Sequence, residues 1–186
     1  MTDTFGKRSA FIEHLEQLAA KKDRAALAGL RRSLGKAPSA AGEAHPHVLR
    51  FNPPERDEIA YYLVAGLFAL HYEHQWKKGA SGVRKTNFGA SFALLLSKLK
   101  RESIEKRFVA LLNSHVEELP DHLRHAVGLF KANDIPVDWQ QLLFDLCRWQ
   151  REDRKVQRDW ARAFWGDNSE PANHPNNSND SQPKDQ

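Results

Sequence analysis

Apolar residues recur at helical spacing along nearly the whole chain, and that recurrence predicts its elements. Residues Phe5 to Lys21 place Phe11, Ile12, Leu15, Leu18 and Ala19 on one face, and Asp23 to Leu34 repeat the device with Leu27, Leu30 and Leu34 before Gly35 ends the run. These form a helical hairpin whose Arg24, Arg31 and Arg32 point away from the leucines. Residues 36–54, rich in Pro, Ala, Gly and His, read as an irregular loop closed by Pro53 and Pro54. The next pattern, Glu55 to Gln75, is apolar almost all round and predicts the central buried helix of the first half, with Ile59, Tyr62, Leu63, Leu67, Leu70 and Tyr72 among its apolar residues. Helical spacing resumes over 88–99, 103–114 and 120–133, and no period-two strand bounded by turn signals is found.

The most organised pattern comes last. Taking about 100° per residue, Trp139, Leu142, Leu146, Trp149, Val156, Trp160 and Phe164 gather on one side of a single predicted helix from Asp138 to Trp165. Arg148, Arg151, Lys155, Arg158 and Arg162 recur on the other side at steps of three and four, the spacing of one helical ridge. Pro136 and the capping Asp138 mark its start and Gly166 its end. Only Glu152, Asp153 and Asp159 are interspersed, too few to neutralise the ridge through i,i+4 pairs. The fold class expected is therefore all-α, a compact multi-helix bundle over residues 1–166 that divides, if it divides, into lobes of about 1–100 and 101–166. Residues 167–186, dense in Asn, Ser, Asp and Pro, form a polar acidic tail unable to bury enough apolar surface to order itself.

Composition sharpens this picture in two ways. At 186 residues the chain buries a sizeable core without help from a cofactor, and none is predicted. Formal charge is +4, but the tail carries Asp167, Glu170, Asp180 and Asp185 against Lys184, which leaves +7 on the body. A body of that sign favours polyanions or an acidic protein face. A single cysteine, Cys147, forms no internal disulfide, and no apolar run reaches the ~20 residues of a membrane helix; together these predict a cytoplasmic protein.

Candidate chemistry is sparse. Gly29 to Lys36 departs from a phosphate-binding loop in spacing, in having Ala37 where a hydroxyl is needed, and in lying within a helix. His71 with His74, and His122 with His125, stand three apart on predicted helices without the motif of a metal protease, and read as surface or half-buried histidines. Cys147 sits among leucines and reads as a packing thiol, and Glu117 and Glu118 lie beside a helix start without a pocket. No active site is predicted. What remains is cationic surface: the arginines of the second helix, the C-terminal ridge, and a glycine-containing loop at 76–87 with Lys77, Lys78, Arg84 and Lys85, suited to touch phosphates.

Laid out in order, several local patterns resemble a known family. They are Asp23-Arg24-Ala25-Ala26-Leu27-Ala28-Gly29-Leu30-Arg31-Arg32, then Arg107-Phe108-x-x-Leu111-Leu112, then Leu123-Arg124-x-x-Val127-x-Leu129-Phe130-Lys131. After them come Val137-Asp138-Trp139-x-x-Leu142-Leu143-x-Asp145-Leu146-x-x-Trp149 and Val156-x-x-x-Trp160-Ala161-Arg162-x-Phe164. Together they resemble the CasB family, the small subunit of the type I-E CRISPR Cascade complex, over nearly the whole chain except the tail. The resemblance implies a non-enzymatic all-α protein, present as a pair, that packs among CasA, CasC, CasD and CasE and offers basic surface to guide RNA, target DNA and the displaced strand. Carried over, the nucleic-acid candidates are Arg24, Arg31, Arg32, Arg107, Arg148, Arg151, Lys155 and Arg158, joined by the loop residues Lys77, Lys78, Arg84 and Lys85. The competing reading is a helical adaptor whose basic face docks an acidic protein.

Overall fold

The computed structural model describes residues 3–75 and 86–166. Among them the chain forms nine α-helices: α1 (Asp3–Ala20), α2 (Arg24–Ser33), α3 (His45–Val48), α4 (Glu55–Leu70), α5 (Phe88–Leu99), α6 (Glu102–Asn113), α7 (Leu119–Ala132), α8 (Trp139–Leu146) and α9 (Lys155–Trp165). The only β pairing among the described residues is an isolated bridge between Gln75 and Val137, so the all-α expectation holds. The acidic tail lies outside the described residues.

α4 is the central helix. It is buried on nearly every side, packing against α2 on one flank and α7 and α8 on another, while α5 lies between α6 and α9. One continuous apolar cluster joins these groups, from Phe11 on α1 to Phe164 on α9. Asp23 caps α2 by accepting from the Ala26 N–H (3.0 Å), and Asn87 and Asp138 do the same for α5 and α8. Among the apolar residues of α4, Ile59 is the exception: it points outward and is 59% exposed.

Four differences from the sequence reading have physical causes. Residues 36–54 are not irregular but contain α3 and three 3₁₀ turns, Pro38–Ala40, Gly42–Ala44 and Leu49–Phe51, because Ala41, Ala44 and Val48 are buried against the hairpin. α4 stops at Leu70 and not near Gln75. His71 leaves the helix and is buried, its Nε2–H donating to the Ile135 carbonyl (2.8 Å), which corrects the expectation of a surface or half-buried ring. Burial lowers its proton affinity, keeping the ring neutral.

The third difference matters most. The predicted helix from Asp138 to Trp165 is two helices, α8 and α9, with a reversal at 147–154 that passes through Arg154 in the left-handed region (φ 45°). In one continuous helix Trp149 and Trp160 would lie about 16 Å apart; here their ring centroids are 5.0 Å apart. The reversal also lets the Trp160 indole N–H donate to the buried Asp145 carboxylate (2.6 Å) and Gln157 Nε2 donate to the Trp149 carbonyl (3.0 Å). Finally, the acids within the ridge do neutralise part of it. Asp159 bonds both Lys155 (2.6 Å) and Arg162 (3.0 Å), and Asp153 bonds Arg151 (3.0 Å).

α5 and α9 meet backbone to backbone. A Cβ added at Gly89 would stand 2.1 Å from the Trp160 carbonyl oxygen, and Asn87 Nδ2 donates to the Asp159 carbonyl (3.1 Å) beside it. Gly89→Ala should therefore lower unfolding free energy by about 3 kcal/mol, since neither backbone can retreat alone. Gly128→Ala on α7, where a Cβ meets nothing within 4 Å, should instead stabilise by roughly 0.5–1 kcal/mol through helix propensity. Chemical denaturation of both variants checks the contrast; equal effects would refute the close approach.

Burial pushes the Asp145 carboxyl up to about 6 despite the bonds from Trp160 and Gln141, which favour its ionised form. Its folded value exceeds the unfolded one near 3.8, so its contribution is full below that value and is lost as pH rises through about 6. The loss is on the order of 3 kcal/mol. The difference in unfolding free energy between wild type and Asp145→Asn, followed from pH 4 to 7, should move against the wild type by that amount; a flat difference would contradict the burial penalty.

Candidate nucleic-acid interface

The predicted cations do not form one surface. On α2, Arg24 is exposed at the first turn, whereas Arg31 Nε donates to the Ala69 carbonyl (3.2 Å) and ties α2 to the end of α4. Arg32 grips Glu43 through Nε and Nη2 at 2.7–3.2 Å. That bonding holds the Glu43 carboxyl below its usual range and leaves Arg32 partly committed.

Across α5, α6 reaches the end of α9 through side chains, in the Phe108–Phe164 ring contact (4.3 Å) and in Trp165 Nε1 donating to Glu105 (3.0 Å). Arg107 and Arg158 thus sit on two helices that both pack against α5. Arg24, Arg107 and Arg158 are exposed and make no side-chain ion pair among the described residues. Lys155 is exposed but shares Asp159 with Arg162.

The reversal between α8 and α9 sends Arg148 and Arg151 elsewhere. The Arg148 guanidinium lies 3.9 Å over the Phe144 ring, and with Arg151, Arg8 and Arg56 it lines a groove of about 860 Å³ beside the start of α4. Sequence reasoning missed Arg8 and Arg56; their spacing on α1 and α4 carries no signal, because only the packing of α1 and α4 near the α8 end collects them. Lys77, Lys78, Arg84 and Lys85 lie outside the described residues.

Other chemistry stays silent. Burial pushes the Cys147 thiol up to about 12, so it carries almost no thiolate at neutral pH. Among the described residues no three His, Cys, Asp or Glu side chains are grouped to hold a metal, and no helix is long and apolar enough to cross a membrane.

With this all-helical body and its divided cationic surface in view, residues 26–165 match the family model of the CRISPR-associated protein Cse2. The chain belongs to the Cse2 family. A CRISPR-associated protein Cse2 from Thermus thermophilus is 36% identical over 161 residues, covering 84% of this chain and 88% of that protein. The crystal structure of CasB from M. ruber is 35% identical and superposes with a TM-score of 0.69, covering 86% of this chain and 93% of that one. A chain of a CRISPR RNA-guided surveillance complex is 26% identical with a TM-score of 0.72, covering 87% and 92%. The resemblance drawn from the ordered motifs is thereby shown to be a family relation.

Because Glu43 occupies Arg32, removing that carboxylate frees a cation on α2. Glu43→Gln should leave thermal unfolding unchanged, since an exposed pair contributes little. It should steepen the salt dependence of binding to a single-stranded oligonucleotide by up to about 0.7 unit of log affinity per log salt. An unaltered slope would mean that Arg32 meets no phosphate.

Proposed function

We propose that this chain is a non-catalytic small subunit of an RNA-guided CRISPR surveillance complex of the Cascade type. In it the chain stabilises guide RNA, target DNA and the displaced strand for antiviral defence. The observation that carries this reading is family membership over residues 26–165, joined to the exposed Arg24, Arg107 and Arg158, which make no side-chain ion pair among the described residues.

The physics suits the task. Exchanging a DNA duplex for an RNA–DNA duplex is nearly balanced, so modest contacts to backbones hold the exchanged state without reading any base. Distributed arginines do this, whereas base readout needs side chains aimed into a groove. Arg24, Arg107 and Arg158 lead the contacts, with Arg31, Arg32 and Lys155 beside them at reduced strength because each is already bonded within the chain. Lys77, Lys78, Arg84 and Lys85, which lie outside the described residues, add further cations to this set by sequence. The partners are the guide RNA, the target DNA, the CasA, CasC, CasD and CasE subunits and a second copy of this chain.

Replacing Arg107 and Arg158 by Gln should leave thermal unfolding unchanged and weaken retention of target DNA by the assembled complex. The slope of log affinity against log salt should flatten by roughly 1.4 to 1.8 units. Discrimination between matched and mismatched targets should keep its direction, since pairing to the guide reads sequence. Wild-type DNA retention combined with failure to enter the complex would make these arginines a protein-docking face, in favour of the adaptor reading.

A further inference from the structure

The groove beside the start of α4 differs from the rest of the cationic surface. Its walls are aliphatic: Ile59 and Leu63 come from α4, Val116 and Leu119 from the α6 to α7 connection and the start of α7, and Leu146 from the end of α8. Two of these are unusually open, Ile59 at 59% and Val116 at 40% exposure. Large aliphatic side chains gathered in one exposed concavity mark an interaction site more than scattered surface residues do.

Charge at the mouth is one-sided. The single carboxylate in the lining among the described residues, Asp57, is buried and accepts from Arg8 (2.9 Å), so it neutralises Arg8 and not the rim. Arg56, 86% exposed, touches that carboxylate only at 3.8 Å. The Arg148 guanidinium is held over Phe144, a placement that leaves it pre-positioned for an incoming anion. Among the described residues, Arg151 is the one rim cation with an ion-pair partner outside the groove, Asp153.

Nucleic acid fits this shape poorly. Unpaired bases bind by stacking on flat aromatic faces, and Phe144, the one aromatic ring in the lining among the described residues, is already covered by Arg148. The tail of this chain supplies carboxylates but, beyond Gly166, no apolar residue other than alanine and proline. We propose that the groove is a protein-docking site for an amphipathic helix of a neighbouring subunit. That helix sets aliphatic anchors against Ile59, Leu63 and Val116 and presents Asp or Glu to Arg56 and Arg148. This rests on the reading of the chain as a subunit of a surveillance complex, and it reassigns Arg148 and Arg151 from nucleic acid to protein.

The test uses the full chain in the reconstituted complex. A photoreactive benzophenone residue at position 59 should crosslink to a peptide of another protein subunit that carries aliphatic residues beside Asp or Glu. Ile59→Ser combined with Val116→Ser, both at exposed positions, should lower incorporation by about tenfold or more. The melting temperature and the affinity of the isolated chain for a single-stranded oligonucleotide should stay at wild-type values. Crosslinks to RNA, to DNA, to residues 167–186 or to nothing above background would overturn the proposal, as would wild-type incorporation of the double variant. Wild-type chain that fails to enter the complex at all would overturn the subunit reading and this one with it; wild-type and variant chains that enter equally would overturn this one alone.

Discussion

Trp160 is where α5, α8 and α9 are fastened together. Its fully buried ring lies against Trp149 and Phe88, at centroid distances of 5.0 and 5.1 Å, its indole N–H is held by Asp145, and its carbonyl meets α5 at Gly89. Each contact constrains the others. The Gly89 approach fixes how close α9 can come, the Asp145 bond fixes its rotation, and the aromatic contacts fix its height along α5. A buried carboxylate carries a desolvation penalty, and here the return is directional: Asp145 can accept from both Trp160 and Gln141, which an apolar residue could not.

Much of the fold was legible because amphipathic helices announce themselves through spacing alone. The limits of α5 follow directly from it, and those of α2, α6 and α7 to within a residue or so at either end. The break between α8 and α9 was not legible, for a specific reason. Trp149, Val156 and Trp160 follow one another at steps of seven and four, which keep phase on a helix, so the pattern runs unbroken through a reversal of the chain. Neither Gly nor Pro marks the turn. The local signal is weaker: Asp153 accepts from the Lys155 N–H (3.1 Å) and so competes with helical bonding at that point.

The cationic residues show the same limit from another side. Which arginines remain available depends on partners far away in sequence: Glu43 for Arg32, the Ala69 carbonyl for Arg31, Asp57 for Arg8. Spacing along a helix shows that charges share a face, but not what the rest of the chain has already attached to them. His71 is a similar case. Its neighbour three residues on suggested a surface pair, whereas a carbonyl sixty-four positions away, at Ile135, decided its burial. The family motifs were readable because they record those distant constraints as local strings.

The backbone contact between Gly89 and Trp160 also sets a timetable for the chain during synthesis. Translation proceeds at about 5–20 residues per second, so roughly 4 to 14 seconds separate the appearance of the two halves of that contact. Until α9 emerges, α5 has only part of its packing surface, with Phe88 awaiting the indole that will cover it. The nascent molecule thus carries an incompletely covered aromatic face for over a third of its own production, and its final helix acts as the closing piece. A chain interrupted before Trp160 would be left with that face open to other proteins, a hazard for the cell quite apart from any loss of binding.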